Sequence, residues 1–118
     1  MPETSVVFFK EKDGSQPFRG WYDRQPRKVQ DKCFRSLKYL EDFGYELRRP
    51  LADQLRDGIY ELRVKHLRVN YRILYFFGGK QIVVVSHGLT KEGEVPSEEI
   101  DKALERKARY LSDPNSYS

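Results

Sequence analysis

The stretch ELRVKHLRVNYRILYFF, residues 61–77, alternates apolar and polar side chains over most of its length. Such alternation is typical of β-strands, in which successive side chains point to opposite faces of a sheet. We place a tight turn at His66-Leu67, so the stretch predicts two antiparallel strands. One alternating face carries Arg63 and Arg72, where a strand buried on both faces would carry aliphatic residues.

Further strands are predicted on both sides of this hairpin. The run VVFF at residues 6–9 is short, apolar and followed by a loop sequence. Gly78-Gly79 is a common sequence for a tight turn and is expected to join the hairpin to a further apolar run. Four strands are therefore expected, at residues 6–9, 59–65, 68–77 and 81–87.

Apolar residues at helical spacing predict two amphipathic helices. The first covers about residues 26–44, and the second begins after Val95-Pro96 and ends before Asp113-Pro114. Residues 50–55 predict a short helical piece, after which the chain turns. One cysteine, Cys33, lies on the apolar stripe of the first helix, where it is interpreted as a small core residue.

Two-residue turns fix which residues of neighbouring strands lie opposite each other. The turn at His66-Leu67 places Glu61 opposite Arg72, and the turn at Gly78-Gly79 brings His87 to the same face. The side chains expected to converge there are Glu61, Arg63, Arg72 and His87, with Lys91 just beyond. The other face is expected to be apolar and to pack under the helices, and its residues are Tyr60, Leu62, Val64, Val69, Tyr71, Ile73, Tyr75, Phe77, Ile82 and Val84.

Length and charge limit the classes of protein to consider. The chain has 118 residues and a net charge of +4, and one domain over residues 1–118 is expected. Residues 1–91 hold 18 Lys and Arg against 11 Asp and Glu, whereas residues 92–118 hold 4 against 7. A basic body favours a polyanionic partner such as nucleic acid, although ordinary solvated surface charge explains the asymmetry equally well.

The cellular compartment is predicted from two features that the sequence lacks, a pair of cysteines and a long apolar segment. One cysteine excludes a disulfide within the chain. No apolar run approaches the roughly 20 residues that span a bilayer, and the N-terminus does not read as a secretory signal. A cytoplasmic protein with no membrane partner is expected.

The predicted polar cluster suits the cleavage of RNA by its own 2′-hydroxyl. Cations stabilise the charge of a pentavalent phosphate, a base removes the 2′ proton, and an acid protonates the departing 5′ oxygen. The histidines lack metal-ligand spacing, and no glycine-rich phosphate loop is present, so neither metal nor cofactor is expected. The alternative is that Glu61 and Arg72 form an ordinary ion pair on a solvent-exposed face of the sheet. The sequence does not decide whether His87 or Glu61 is the general base.

Three segments together resemble the phage-derived Gp49-like HigB branch of the RelE/ParE toxin superfamily. They are PLADQLRDGIYELR at 50–63, NYRILYFFGGKQIVVVSHGLTK at 70–91 and VPSEEIDKALERKARYL at 95–111. The resemblance covers roughly residues 45–111. It implies a small RelE-like α+β domain with a twisted, mostly antiparallel four-stranded sheet, helices packed on one face and a C-terminal helix.

The resemblance also implies an activity and partners. Such proteins are toxins of type II toxin–antitoxin systems that cleave mRNA on the ribosome without metal and arrest translation. A cognate helix-turn-helix, HigA-like antitoxin neutralises them. The residues corresponding to the family's catalytic positions are Arg63, Arg72 and Lys91, with His87 as proton shuttle. The residues expected to contact the RNA backbone at the hairpin tip are Lys65, His66 and Arg68.

The sequence departs from the family pattern at two points. Lys91-Glu92 stands where the family often has two lysines, and Leu89 replaces a phenylalanine. The loss of a cation weakens the expectation of cleavage, and the ParE branch of the superfamily inhibits gyrase without cutting RNA. The alternative function is therefore a ParE-like inhibitor of a protein target, or a decayed toxin that only binds its antitoxin.

Overall fold

The computed structural model describes residues 4–79, 81–90 and 93–118. Its strands are β1 Ser5–Phe8, β2 Ala52–Arg56, β3 Ile59–His66, β4 Val69–Gly79 and β5 Ile82–Thr90. Its α-helices are α1 Pro17–Asp23, α2 Arg27–Phe43 and α3 Ser97–Ser112, and 3-10 turns lie at Gly44–Glu46 and Pro114–Ser116.

The strands form one sheet in the order β1-β5-β4-β3-β2. β1 runs parallel to β5, and the remaining pairs are antiparallel. The predicted α+β class with a mostly antiparallel sheet is therefore confirmed.

The prediction of four strands is wrong, because residues 52–56 form β2 and not a helical piece. Asp57 and Gly58 both have positive φ, at 52° and 81°. Positive φ at both central residues is the requirement of a two-residue type I′ hairpin turn, and Arg56 pairs with Ile59 across it. The turn therefore needs a strand on each side, and β2 is the strand before it.

The helices cover both faces of the sheet and not one face as expected. α1 and α2 pack on the face that carries Leu62, Ile73 and Tyr75. α3 packs on the opposite face, which carries Leu74 and Phe76. The apolar stripes of the two long helices explain this: α2 buries Val29, Cys33 and Leu40, and α3 buries Ile100, Ala103 and Tyr110.

The β3–β4 turn lies one residue later than predicted, at Leu67-Arg68, because His66 pairs with Val69. Moving a two-residue turn by one position changes each cross-strand partner by two residues. Since side chains alternate with a period of two, every residue of β3 and β4 keeps its predicted face. The partners change, however, and Arg63 now lies directly opposite Arg72.

The register of β5 is altered by two irregularities in its pairing with β4. Val83 and Val85 face α2, whereas Ile82 and Val84 face α3, which reverses the prediction for these four residues. A bulge at Ser86 then restores the alternation, since His87 pairs with Leu74 but Val85 pairs with Tyr75.

α1 is packed closely on β5 at Gly88. A Cβ added at this glycine would overlap the ring of Trp21, which is itself buried. The absence of a side chain at position 88 therefore allows α1 to lie against the strand.

Candidate functional site

A pocket of about 470 Å³ lies on the α3 face of the sheet, between β2, β3, β4 and the start of α3. We call it the arginine pocket. Its charged lining residues are Arg49, Asp53, Arg56, Glu61, Arg63, Arg72 and Glu94, and Gln54, Leu55, Gly93, Val95 and Ile100 complete it.

Two arginines of the pocket face each other across neighbouring strands, where like charges ordinarily destabilise a sheet. Glu61 compensates for this pairing. Arg72 Nη1 donates a hydrogen bond to Glu61 Oε1, and Arg63 Nη2 donates to Glu61 Oε2 at 3.2 Å. The Glu61–Arg72 ion pair that was weighed as the alternative is formed, but diagonally and not between direct cross-strand partners.

Glu61 is 3% exposed, and each of its carboxylate oxygens accepts a bond from an arginine. Both oxygens of Glu61 are thus occupied by these contacts, and the carboxylate anchors Arg63 and Arg72. Arg72 Nη2 is further oriented by a bond to the Gly93 carbonyl at 3.2 Å.

Sequence reasoning missed the β2 side of the pocket. Arg49 Nη2 lies 2.7 Å from Asp53 Oδ2, and this hydrogen-bonded arginine lowers the pKa of Asp53. Asp53 also lies 3.5 Å from Arg63, so the carboxylate connects the two arginines. Asp53 lies in the segment that was assigned to a helical piece, and the Asp57-Gly58 turn was the signal that could have placed a strand beside β3.

His87 does not reach the pocket, so its predicted convergence with the arginines is wrong. It lies on the expected face of the sheet, but α3 covers it and leaves it 6% exposed. Its Nε2 lies 3.1 Å from Glu99 Oε1, and its Nδ1 lies 3.0 Å from Arg106 Nη1 and 2.7 Å from Ser86 Oγ. α3 takes this position because its apolar stripe packs on the strand residues next to His87.

These contacts fix the form of the imidazole ring. An arginine only donates hydrogen bonds, so Nδ1 is the acceptor and Nε2 carries the proton that is donated to Glu99. Burial first, and the Arg106 charge second, lower the pKa of His87 from 6.5 to about 4. His87 is therefore neutral near pH 7.

The remaining predicted site residues lie elsewhere. Lys65 and Arg68 are exposed at the end of the β3–β4 hairpin, and His66 is half-buried there. Lys91 lies outside the described residues, as does the neighbouring Glu92.

Cys33 is confirmed as a core residue. It is fully buried, and burial raises the pKa of its thiol to about 11. Among residues 4–79, 81–90 and 93–118, no three His, Cys, Asp or Glu side chains are grouped to hold a metal ion. No helix in these ranges is both long and apolar enough to cross a bilayer.

Comparison with known families matches residues 20–108 to the phage-derived Gp49-like proteins. The match covers well over half of the chain and includes β2–β5 and most of α3. The chain belongs to this family. Gp49-like proteins are HigB/RelE-like toxins, and a toxin-type family implies an antitoxin partner. No protein with a curated description matches the chain.

Proposed function

We propose that this Gp49-like protein is an endoribonuclease toxin that cleaves mRNA on the ribosome without a metal ion and so arrests translation. The supporting observation is the direct cross-strand pairing of Arg63 with Arg72 on the floor of an open pocket. Glu61 compensates for the pairing of the two arginines, but the pocket as a whole holds four arginines against three carboxylates and so keeps an excess of positive charge. Two adjacent guanidiniums form a fitting site for a phosphodiester.

In the proposed reaction the RNA 2′-oxygen attacks the adjacent phosphorus while its proton passes to a base. The bond from phosphorus to the 5′-oxygen breaks, and that oxygen receives a proton from an acid. The products are a 2′,3′-cyclic phosphate and a 5′-hydroxyl end. Arg63 and Arg72 stabilise the additional negative charge on the phosphate oxygens. Lys91 is proposed as a third cation, and Lys65, His66 and Arg68 as contacts to the flanking backbone.

The position of His87 changes its proposed role. A proton shuttle must reach the 2′-hydroxyl or the 5′-oxygen directly or through one water. His87 is covered by α3, and its two ring nitrogens already contact Arg106 and Glu99. We therefore give it a structural role in holding α3 on the sheet, which leaves proton transfer to a group at the pocket.

The experiment that tests the proposal is in vitro translation of a defined mRNA, followed by mapping of RNA ends. The wild-type protein should produce new ends within ribosome-bound message, with 2′,3′-cyclic phosphate termini. Arg72→Ala should lower the cleavage rate roughly a hundredfold or more, the effect of removing one charge-stabilising group. Arg72→Lys should restore little, because lysine lacks the bidentate fork.

Arg19→Ala is the matched control. Arg19 is an exposed arginine of α1 whose ion pair with Asp23 lies far from the pocket in the fold. This variant should cleave like the wild type. Uncut mRNA with the wild-type protein, together with inhibition of gyrase in a supercoiling assay, would overturn the proposal in favour of a ParE-like inhibitor.

The antitoxin is proposed to be a helix-turn-helix, HigA-like protein. Coexpression with the product of a neighbouring reading frame of that type should suppress the growth arrest and yield a stable complex. Copurification of the pair without growth arrest by the toxin alone would instead indicate a chain that only binds its antitoxin.

A further inference from the structure

Half of the arginines and lysines in the part of the chain that the structure describes lie beside a carboxylate, and five of those that do not are on α2 and at the β3–β4 hairpin. Within residues 4–79, 81–90 and 93–118, no carboxylate lies within 4.0 Å of Lys28, Lys32, Arg35, Lys65 or Arg68. We call these five residues the basic edge surface. The carboxylate of α2 nearest to them in sequence, Asp31, pairs with Arg27 at 3.5 Å.

The basic edge surface is held together at the open edge of β3. β2 pairs with β3 only as far as Leu62, so the edge of β3 beyond that point has no neighbouring strand. Lys32 crosses this edge, and its Nζ donates a hydrogen bond to the Lys65 carbonyl at 3.3 Å. The contact brings the Lys32 ammonium group to the edge of β3 at Lys65.

The surface is continuous with the arginine pocket. Arg63 and Lys65 are two residues apart on β3, so their side chains leave the same face about 7 Å apart. Lys28 and Arg35 lie one turn before and one turn after Lys32 and share its side of α2. Cations therefore follow one another from the pocket, over the edge of β3, and along α2.

An aromatic side chain extends this row. Tyr39 lies four residues after Arg35 on the same side of α2 and is 41% exposed. A row of cations that ends in an exposed ring suits single-stranded nucleic acid, because the cations contact phosphates and the ring stacks on a base.

We propose that the basic edge surface binds the backbone of single-stranded RNA outside the arginine pocket, with Tyr39 stacking on one of its bases. The proposal rests on the proposed function, because it extends the path of the RNA beyond the phosphate that is cleaved. The α2 residues carry this binding together with the hairpin tip.

The test uses a fluorescent 2′-O-methyl RNA of about 20 nucleotides, which has no free 2′-hydroxyl and cannot be cut. Its affinity is measured by anisotropy at several salt concentrations. The variant replaces Lys28, Lys32 and Arg35 by glutamine, which removes three charges and keeps a good helix former. Single-strand binding loses about 0.7 in log–log salt slope per phosphate contact, so the slope should fall by about 2 and the affinity at low salt at least tenfold.

The matched control replaces Lys12, Arg19 and Lys102 by glutamine. These exposed residues lie in the loop after β1, on α1 and on α3, so the net charge changes equally but the basic edge surface stays intact. The control should keep the wild-type slope. Tyr39→Ala should weaken binding about tenfold with the slope unchanged, because stacking does not release counterions.

An unchanged slope in the α2 variant, or an equal fall in the control, would overturn the inference. Circular dichroism and thermal unfolding confirm that each variant is folded. The outcome is independent of cleavage, because the probe cannot react. Binding that depends on α2 in a protein that leaves mRNA uncut would refute the proposed function alone, and cleavage without that dependence would refute this inference alone.

Discussion

The burial of His87 predicts a specific loss of stability in mild acid. The ring is neutral in the folded protein, and its pKa falls from 6.5 in the unfolded chain to about 4 in the folded one. Between these pH values the unfolded state binds a proton at His87 that the folded state does not. Stability therefore falls as the pH is lowered, beginning near pH 6.5 and completing near pH 4. The pKa difference corresponds to roughly 3 kcal/mol at most.

The measurement is the free energy of urea-induced unfolding from pH 7.5 to pH 4, for the wild type and for His87→Gln. Glutamine does not titrate, so the variant lacks this contribution, and Glu99 is the carboxylate whose contact with His87 the substitution changes. The wild type should be the more stable protein at pH 7.5, because it keeps the bonds to Glu99 and Arg106. The difference in free energy of unfolding between the wild type and the variant should fall by about 2 to 3 kcal/mol between pH 7.5 and pH 4.

His66 provides the control, since it is the other histidine of the chain. His66→Gln should retain the wild-type pH dependence, because the effect is assigned to His87 alone. A constant difference between the wild type and His87→Gln from pH 7.5 to pH 4 would refute the reasoning. It would mean that His87 is solvated or already charged beneath α3.

Three further predictions concern the core of the fold and the floor of the pocket. Glu61→Gln should destabilise the protein by about 3 kcal/mol in urea unfolding, because two guanidiniums lose their buried counter-charge; adding Arg72→Gln should recover at least about 1 kcal/mol. Gly88→Ala should lower the free energy of unfolding by about 2 kcal/mol, because its methyl group overlaps Trp21. Cys33 should resist a thiol reagent at pH 8 in the folded protein and react at once in urea, because it is fully buried.

Each of these predictions has a clear contrary result. Additive effects of the Glu61 and Arg72 substitutions would remove the proposed coupling. Gly79→Ala is the control for Gly88, since an added Cβ there has its nearest neighbour at 3.9 Å; equal destabilisation of the two variants would contradict the packing argument. Rapid labelling of Cys33 without denaturant would show that α2 does not seal it.

The site was predictable where it depended on alternation along a single strand. Glu61, Arg63 and Arg72 were assigned to one face, and the structure places them together there. This held although the turn was misplaced by one residue, because that error preserves side-chain parity. The misplaced turn did change the register, and the direct Arg63–Arg72 pairing was missed because it depends on the register.

Other errors arose where a local pattern was ambiguous or interrupted. Residues 52–56 are short and mixed in polarity, so their strand is recognised from the type I′ turn after them and not from their own periodicity. In β5 four apolar residues in succession gave no information on facing, and the bulge at Ser86 could not be read from the sequence. His87 therefore lies on the predicted face of the sheet, but it is buried beneath α3 and does not line the arginine pocket.

The sequence by itself determined the α+β class, the faces of β3 and β4, and the two long amphipathic helices, because these follow from periodicities within single segments. Only the tertiary structure decided that α3 covers the second face, that His87 is buried beneath it, and that β2 and the residues just before it bring Asp53 and Arg49 to the pocket. These features depend on which surfaces meet across long separations along the chain. No local pattern encodes that choice, since α3 has an apolar stripe that could pack on either side of the sheet.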